Sequence, residues 1–208
     1  DAATTSSFLK AASGSPYADF YHLAIMTGMR RAEIAGLKWD AVDLDVAAIS
    51  VVRTLQRIKG RGLTVGVPKT AKSRRSIALS PTAVGLLMKV RTGQIESRLT
   101  AGPAWHDGGF IFTQANGKPI DPEWPSKAFG RLVRRESLPH LTLHGLRHVS
   151  ATLMLKSGVH PKVVSERLGH SGVGITLDVY SHVVPGLQEA AALALDEQLA
   201  GGLEAATN

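Results

Sequence analysis

Residues 144–154 read HGLRHVSATLM, a stretch that combines two histidines and an arginine with an apolar run. On a helix, His144, Arg147 and His148 lie at i, i+3 and i+4 and therefore share one face. Two histidines one turn apart can bind zinc, but Gly145 stands where the H-E-x-x-H pattern has its glutamate. Arginine repels a cation and binds phosphate or carboxylate bidentately. From this stretch alone, a solvated polar face is the first interpretation, an anion site the second and a zinc site a distant third.

The composition limits the class of protein. The chain has 208 residues, of which 44% are hydrophobic, enough for one domain with a substantial core. It has no cysteine, which excludes disulfides, thiolate metal sites and cysteine nucleophiles and fits a reducing compartment. No apolar run approaches the length of a membrane span. We therefore expect a cytoplasmic protein without a membrane partner.

The net charge of +7 is unevenly distributed. Residues 53–75 contain eight lysines and arginines and no acid, whereas residues 186–208 contain four acids and no base. Leucine, isoleucine and valine interrupt the basic block, so it is not a disordered charged tail. Strands and turns with a positive surface are what a nucleic-acid backbone requires, and the block is a candidate DNA-binding surface.

Apolar periodicity predicts a mostly helical chain with a small sheet. Helical spacing is predicted over 5–12, 16–28, 30–36, 81–99, 122–137, 142–157, 161–169 and 185–199, with a weak glycine-interrupted helix before the last of these. Strands are predicted over 47–56, 63–68 and 74–79, and the polar turn 69–73 lies between the last two. We therefore expect a mixed α/β fold, mostly α-helical, with a small three-stranded antiparallel sheet.

Three further motifs accompany the opening stretch. In chain order the four are TGMRRAE at 27–33, VPKTAKSRRSIAL at 67–79, LTLHGLRH at 141–148 and SERLGHSGVGITLDVYSH at 165–182. Each motif alone is a weak signal, but the ordered set resembles the catalytic domain of the tyrosine recombinases, the phage integrase family. The resemblance extends from about Phe8 to about Leu199.

The resemblance implies a tyrosine recombinase catalytic-domain fold and site-specific recombination or integration of DNA, as carried by phages and other mobile elements of bacteria. Strands are cut and rejoined through a 3′-phosphotyrosyl intermediate, with no metal and no cofactor. By position in the motifs, Arg30 and Arg147 would bind the scissile phosphate and Tyr180 would be the nucleophile. Lys69 would protonate the departing 5′ oxygen.

The same resemblance assigns the remaining site residues. His144 would be a general base or a phosphate contact, and His170 would donate a hydrogen bond to the phosphate. Glu33 and His148 would support the site. General chemistry asks for these residue types, because cationic and donor groups stabilise transition-state charge and an alkoxide leaves poorly without a proton.

Each of these residues also has an ordinary interpretation. Alone, Arg30 would be a helix-surface arginine, and Tyr180 would be a core aromatic like Tyr17 and Tyr21. Lys69 competes for the acid role with Lys72, three residues later, and with Lys59, and is preferred because it directly follows the strand. The remaining basic residues are expected to contact the DNA backbone: Arg31, Arg53, Arg57, Lys59, Arg61, Lys72, Arg74 and Arg75.

The expected organisation is one catalytic domain over 1–208, with a helix at about 186–200 folded back or donated to a neighbouring subunit. Family members carry an N-terminal DNA-binding domain for which there is no room before Phe8, so we expect the isolated catalytic domain of a longer integrase. Its partners would be double-stranded attachment sites, a homotetramer on DNA formed from monomers, and accessory DNA-bending or directionality proteins. The alternatives are a type IB topoisomerase-like enzyme and a non-catalytic DNA-binding regulator on the same fold.

Overall fold

The computed structural model describes residues 2–68, 73–138, 141–183, 192–193 and 195–196. The helices are α1 (Ala2–Ala12), α2 (Ala18–Thr27), α3 (Arg31–Ala35), α4 (Pro81–Ala101), α5 (Glu123–Arg135), α6 (Leu143–Lys156), α7 (Pro161–Leu168) and α8 (Gly174–Val183). The strands are β1 (Val42–Asp43), β2 (Ala48–Val51), β3 (Thr54–Ile58), β4 (Gly62–Gly66) and β5 (Arg75–Ala78). The fold is mixed α/β and mostly helical, as predicted. None of the described helices combines the length and apolarity needed to cross a membrane.

The predicted three-stranded antiparallel sheet is present, but its strands differ from those expected. β2 pairs with β1 on one side and with β5 on the other, in the order β1-β2-β5. β3 and β4 form a separate antiparallel hairpin. The single strand predicted over 47–56 is therefore divided at Val52 and Arg53, where the chain leaves one sheet for the other.

An aromatic core joins the N-terminal helices to α5. The rings of Phe8 and Phe129 have centroids 4.1 Å apart, and Tyr21 meets Phe129 edge-on at 5.3 Å. The buried Tyr21 hydroxyl donates to the carbonyl of Pro125 at 2.9 Å. Tyr21 is therefore a core residue, as the sequence predicted. Pairs of this kind contribute roughly 0.5–1.5 kcal/mol each beyond their buried area.

A smaller apolar cluster holds the C-terminal helices in place. Ala151 and Leu155 of α6 pack against Val164 and Leu168 of α7, and Val179 of α8 lies against this cluster. The helices that carry the LTLHGLRH and SERLGHSGVGITLDVYSH motifs thus share one core. Of the helix predicted over 186–200, only 192–193 and 195–196 are described, and both pairs are helical.

Local signals fix where α6 and α7 begin and end. The Thr142 hydroxyl accepts the N–H of Gly145 at 2.9 Å and so caps α6. Gly145 therefore lies in a capped first turn. Pro161 opens α7, and Gly169 ends it with a left-handed φ of 68°. His144 and His170 are consequently held near the two helix ends that face the site.

Candidate active site

Arg30 precedes the first residue of α3, and its position is set by Glu33. The Arg30 backbone N–H donates to Glu33 Oε2 at 2.8 Å, and its Nη1 donates to Glu33 Oε1 at 2.8 Å. Nη2 donates to the carbonyl of Gly169 at 3.1 Å. The side chain remains 39% exposed, so the guanidinium is anchored on one side and open on the other.

Glu33 is a buried carboxylate, 2% exposed, that pairs with Arg75 as well as Arg30. Burial alone would raise the pKa of Glu33, but the hydrogen bonds and charges of Arg75 and Arg30 outweigh it and hold that pKa below its ordinary value. Glu33 therefore stays ionised and holds Arg30 through hydrogen bonds to its backbone and its side chain.

Arg147 projects from α6 toward the same site and is 6% exposed. Its Nη1 donates to the carbonyl of Gly28 at 2.6 Å, whereas its buried Nη2 has no hydrogen-bond partner among the described residues. Burial and then the charge of Arg30 lower the pKa of Arg147 to about 9. A buried guanidinium with a spare donor beside a second guanidinium is an arrangement suited to an anion.

The glycine of the TG motif permits this approach. Gly28 ends α2 with a φ of 64°, and a Cβ there would lie 2.2 Å from Leu168 Cδ2. A larger residue would have to displace the Leu168 side chain and adopt a left-handed backbone. Gly28 therefore brings α2, α7 and the Arg147 side chain together immediately before Arg30.

The two predicted histidines border this cationic group. Partial burial, followed by the charges of Arg147 and Arg30, lowers the pKa of His144. The same causes in the same order lower the pKa of His170 to about 4. His170 Nδ1 lies 2.8 Å from the hydroxyl of the buried Thr176. When that hydroxyl donates to Nδ1, the proton sits on Nε2, and a neutral His170 can donate to an anion.

A cavity of ≈ 330 Å³ adjoins Arg30, Glu33 and His170. Thr54 and Ile175 form part of its wall, and the buried Thr54 hydroxyl has no hydrogen-bond partner among the described residues. The cluster thus combines fixed positive charge, neutral imidazoles and open volume in one place.

Comparison with known proteins identifies the family to which this site belongs. The sequence model of the Phage integrase family matches residues 4–186. The chain belongs to the phage integrase family.

Named relatives of this integrase-family chain come from bacteria and mobile elements. It is 33% identical over 174 residues to a tyrosine recombinase XerC-like protein of Caldanaerobacter subterraneus subsp. tengcongensis, covering 78% of this chain and 44% of the relative. It is 32% identical over 200 residues to an integrase of Streptomyces ambofaciens, covering 90% of this chain and 50% of the relative. The chain thus spans about half the length of these relatives.

Solved structures show the same fold. The Tn1549 transposon integrase, solved in complex with circular intermediate DNA, matches with a TM-score of 0.79 and 28% identity over 94% of this chain and 66% of that chain. The XerA recombinase matches with a TM-score of 0.68 over 93% of this chain and 64% of that chain, and its 20% identity supports the fold alone.

The integrase motifs that sequence reasoning selected converge only in part within the described residues. Arg30, Arg147 and His170 lie beside Glu33, and His144 lies near Arg147 and Arg30. Tyr180 lies in α8, one turn after Thr176, but its side chain is outside the described residues. Lys69 and Lys72 also lie outside them. His148 lies one turn beyond His144 on α6 and is exposed.

The predicted backbone contacts differ in exposure and pairing. Lys59, Arg61 and Arg74 are exposed. Arg31 and Arg57 are exposed as well, but they and Arg53 have partners in the chain. Arg31 donates to Ser126 Oγ at 2.9 Å, Arg53 to both oxygens of Asp40 at 2.6 and 2.8 Å, and Arg57 to Asp121.

Arg75 does not fit the backbone contact predicted for it. Its side chain is 6% exposed and its guanidinium is paired with Glu33. A signal in the sequence pointed to this: along β5, Arg75 alternates onto the same face as the buried Ile77, whereas Arg74 shares the exposed face of Ser76.

Sequence reasoning also missed Arg167 and Thr176. Arg167 donates to the carbonyls of Ala78 at 2.8 Å and Met26 at 3.0 Å, and so joins α7 to β5 and α2. Thr176 holds the His170 ring. The role of Arg167 has no motif, because its partners are distant in the sequence, whereas Thr176 lies six residues after His170 in the same motif and was not singled out.

Proposed function

We propose that this protein is a site-specific DNA recombinase that cuts and rejoins DNA through a 3′-phosphotyrosyl intermediate. The observation that carries the proposal is the buried Nη2 of Arg147, which has no hydrogen-bond partner among the described residues, beside the open side of Arg30. An unsatisfied buried charged donor is costly unless a ligand completes it. A phosphodiester supplies the two non-bridging oxygens that two arginines can bind.

The proposed reaction forms one bond and breaks one. The Tyr180 oxygen attacks the phosphorus while the bond to the 5′ oxygen breaks and its electron pair leaves with that oxygen. Lys69 gives the 5′ oxygen a proton, and the phenol proton passes to His144. Arg30, Arg147 and the neutral His170 stabilise the charge on the non-bridging oxygens. The reverse reaction, with a 5′ hydroxyl from another duplex, completes the exchange.

The proposed partners are double-stranded attachment sites, on which four copies assemble, together with accessory DNA-bending or directionality proteins. The names of the relatives favour this function over a topoisomerase, since they include integrases, a recombinase and transposases. The Tn1549 transposon integrase was solved with DNA. We place the protein with the DNA of a bacterial or phage-infected cell, in the cytoplasm.

A nicked, labelled duplex library of randomised sequence tests the proposal. The nick lets the short fragment that carries the newly formed 5′ hydroxyl diffuse away, so a cleaving enzyme is trapped as a covalent adduct. We expect the protein to form labelled adducts and then to transfer the selected strand to a second, unlabelled duplex. Adduct formation with relaxation of a separate supercoiled plasmid but without strand transfer would support a topoisomerase. Binding without adduct would support a regulator, and either result contradicts the proposal.

A further inference from the structure

The buried guanidinium of Arg75 joins three segments of the site. Its Nη2 donates to Glu33 Oε2 at 2.9 Å and its Nη1 to Glu33 Oε1 at 3.2 Å. Nη1 also donates to the carbonyl of Ser73 at 3.0 Å, and Nε donates to the carbonyl of Arg167 at 2.6 Å. One side chain therefore fixes the carboxylate of α3, the approach to β5 and the C-terminal end of α7.

Arg75 contacts both of the groups that hold Arg30. The first is Glu33, whose Oε1 accepts from Arg30 Nη1 as well as from Arg75. The second is the turn at Gly169, whose carbonyl accepts from Arg30 Nη2. The backbone of this turn lies directly on the Arg75 side chain, since a Cβ on Gly169 would be 3.0 Å from Arg75 Cδ and Nη1. His170 follows immediately.

We propose that Arg75 is a positioning residue for strand cleavage: through Glu33 and the Gly169 turn it holds Arg30 and His170 at the scissile phosphate, and it makes no contact with DNA. This inference rests on the proposed function. A carboxylate held from two sides has one orientation, whereas one held by Arg30 alone can rotate with it. A displacement of about 1 Å in such a group costs about 10²-fold in rate.

The charges around Glu33 give this role a pH signature. Arg30 faces the carboxylate from the start of α3, Arg75 from β5, and Arg147 from α6. Burial raises the pKa of Glu33, and Arg75 provides the largest opposing interaction. Removal of Arg75 therefore raises that pKa, so Glu33 is neutralised, and Arg30 released, at a higher pH than in the parent protein.

Single-turnover adduct formation at saturating protein, on the nicked duplex selected above, tests the proposal. Arg75→Gln should slow the rate constant by about 10²-fold without changing the salt dependence of DNA binding. Loss of a backbone contact would instead reduce that salt slope by about 1. Arg98→Gln is the matched control, because Arg98 forms an exposed ion pair with Asp107 at 3.1 Å outside the site.

Two further measurements separate positioning from general stabilisation. The acid limb of the pH–rate profile should move to higher pH in Arg75→Gln. In a Glu33→Gln background, the Arg75→Gln substitution should slow cleavage little further. Should Arg75→Gln fail to fold, Arg75→Lys carries the test, since it keeps the charge and loses the multiple contacts; we expect it to fold and to be intermediate in rate.

The inference is overturned by an unchanged rate constant, by a reduced salt slope, or by a rate loss with an unmoved acid limb. Absence of adduct in the parent protein is a separate outcome, seen before any substitution, and it would overturn the proposed function and this inference with it.

Discussion

At the scale of single residues, Arg147 destabilises the folded protein in the absence of DNA. Its buried Nη2 has no partner within the part of the chain that the structure describes, and its pKa is lowered to about 9 by burial and by Arg30. Arg147→Met should therefore raise the free energy of unfolding, by about 1 kcal/mol, while slowing cleavage by about 10²–10³-fold. Urea unfolding and adduct formation measure the two effects. A variant that loses both stability and activity would indicate that Arg147 is a structural residue.

The low pKa of His170 predicts a pH dependence of stability. The fold keeps this ring neutral down to about pH 4, whereas the unfolded chain takes up its proton near 6.5. The stabilisation of the fold by the neutral His170 ring is therefore complete above about pH 6.5 and declines as the pH falls toward about 4. His170→Gln should flatten the decline of the thermal midpoint between about pH 7 and pH 5. Parallel pH curves for parent and variant would contradict the assigned environment.

These residues were predicted from short motifs in the sequence. The wrong predictions concern which charged side chains are buried. Arg30, His144, Arg147 and His170 could be chosen because each occupies a recognisable position in a short pattern. Arg75 was assigned to the DNA surface because charge alone does not tell a solvated arginine from one paired with a buried carboxylate. The partner of Arg75 is 42 residues away in the chain, so no local pattern contains the pair.

At the scale of secondary-structure elements, the end of α7 is a tightly constrained point of the site. Gly169 has a φ of 68° and packs on Arg75, whereas Gly158, after α6, has a φ of 77° with nothing within 4 Å of a Cβ. In both Gly→Ala variants the free energy of unfolding should fall by about 1–2 kcal/mol, because alanine is strained in the left-handed backbone conformation. Gly169→Ala should lose more, and should slow cleavage, because it also displaces Arg75 and Arg30.

Gly158→Ala is the matched control for that comparison and should retain the parent rate constant for cleavage. Chemical unfolding and single-turnover cleavage provide the readouts. Equal losses of stability and activity in the two variants would show that the Gly169 turn has no special role.

Helices were predicted better than strands for a physical reason. The amphipathic pattern of α5 repeats over several turns, and proline or a capping residue marks the start of α4 and α6. β1 has two residues, too few for any alternation to be seen. The division of 47–56 into β2 and β3 depends on the partners that each half finds, β5 and β4 respectively.

At the scale of the whole molecule, the charge of +7 predicts salt-dependent DNA binding. Arg53 is paired with Asp40, whereas Lys59 and Arg61 are exposed in the turn between β3 and β4. Arg61→Gln should therefore lower the slope of log affinity against log salt by about 1, and Arg53→Gln should lower it less. Titrations at several salt concentrations give the slopes. Identical slopes in parent, Arg61→Gln and Arg53→Gln would exclude this surface as the DNA contact.

The central claim is that Tyr180 attacks DNA at the phosphate held by Arg30 and Arg147. Mass-spectrometric mapping of the covalent adduct tests it most directly. The nucleotide should be found on the peptide that contains Tyr180, and Tyr180→Phe should bind the nicked duplex but form no adduct. Tyr17→Phe, in which a half-buried tyrosine is replaced, should form adducts as the parent does. A nucleotide attached to Tyr17 or Tyr21, or adduct persisting in Tyr180→Phe, would contradict the account.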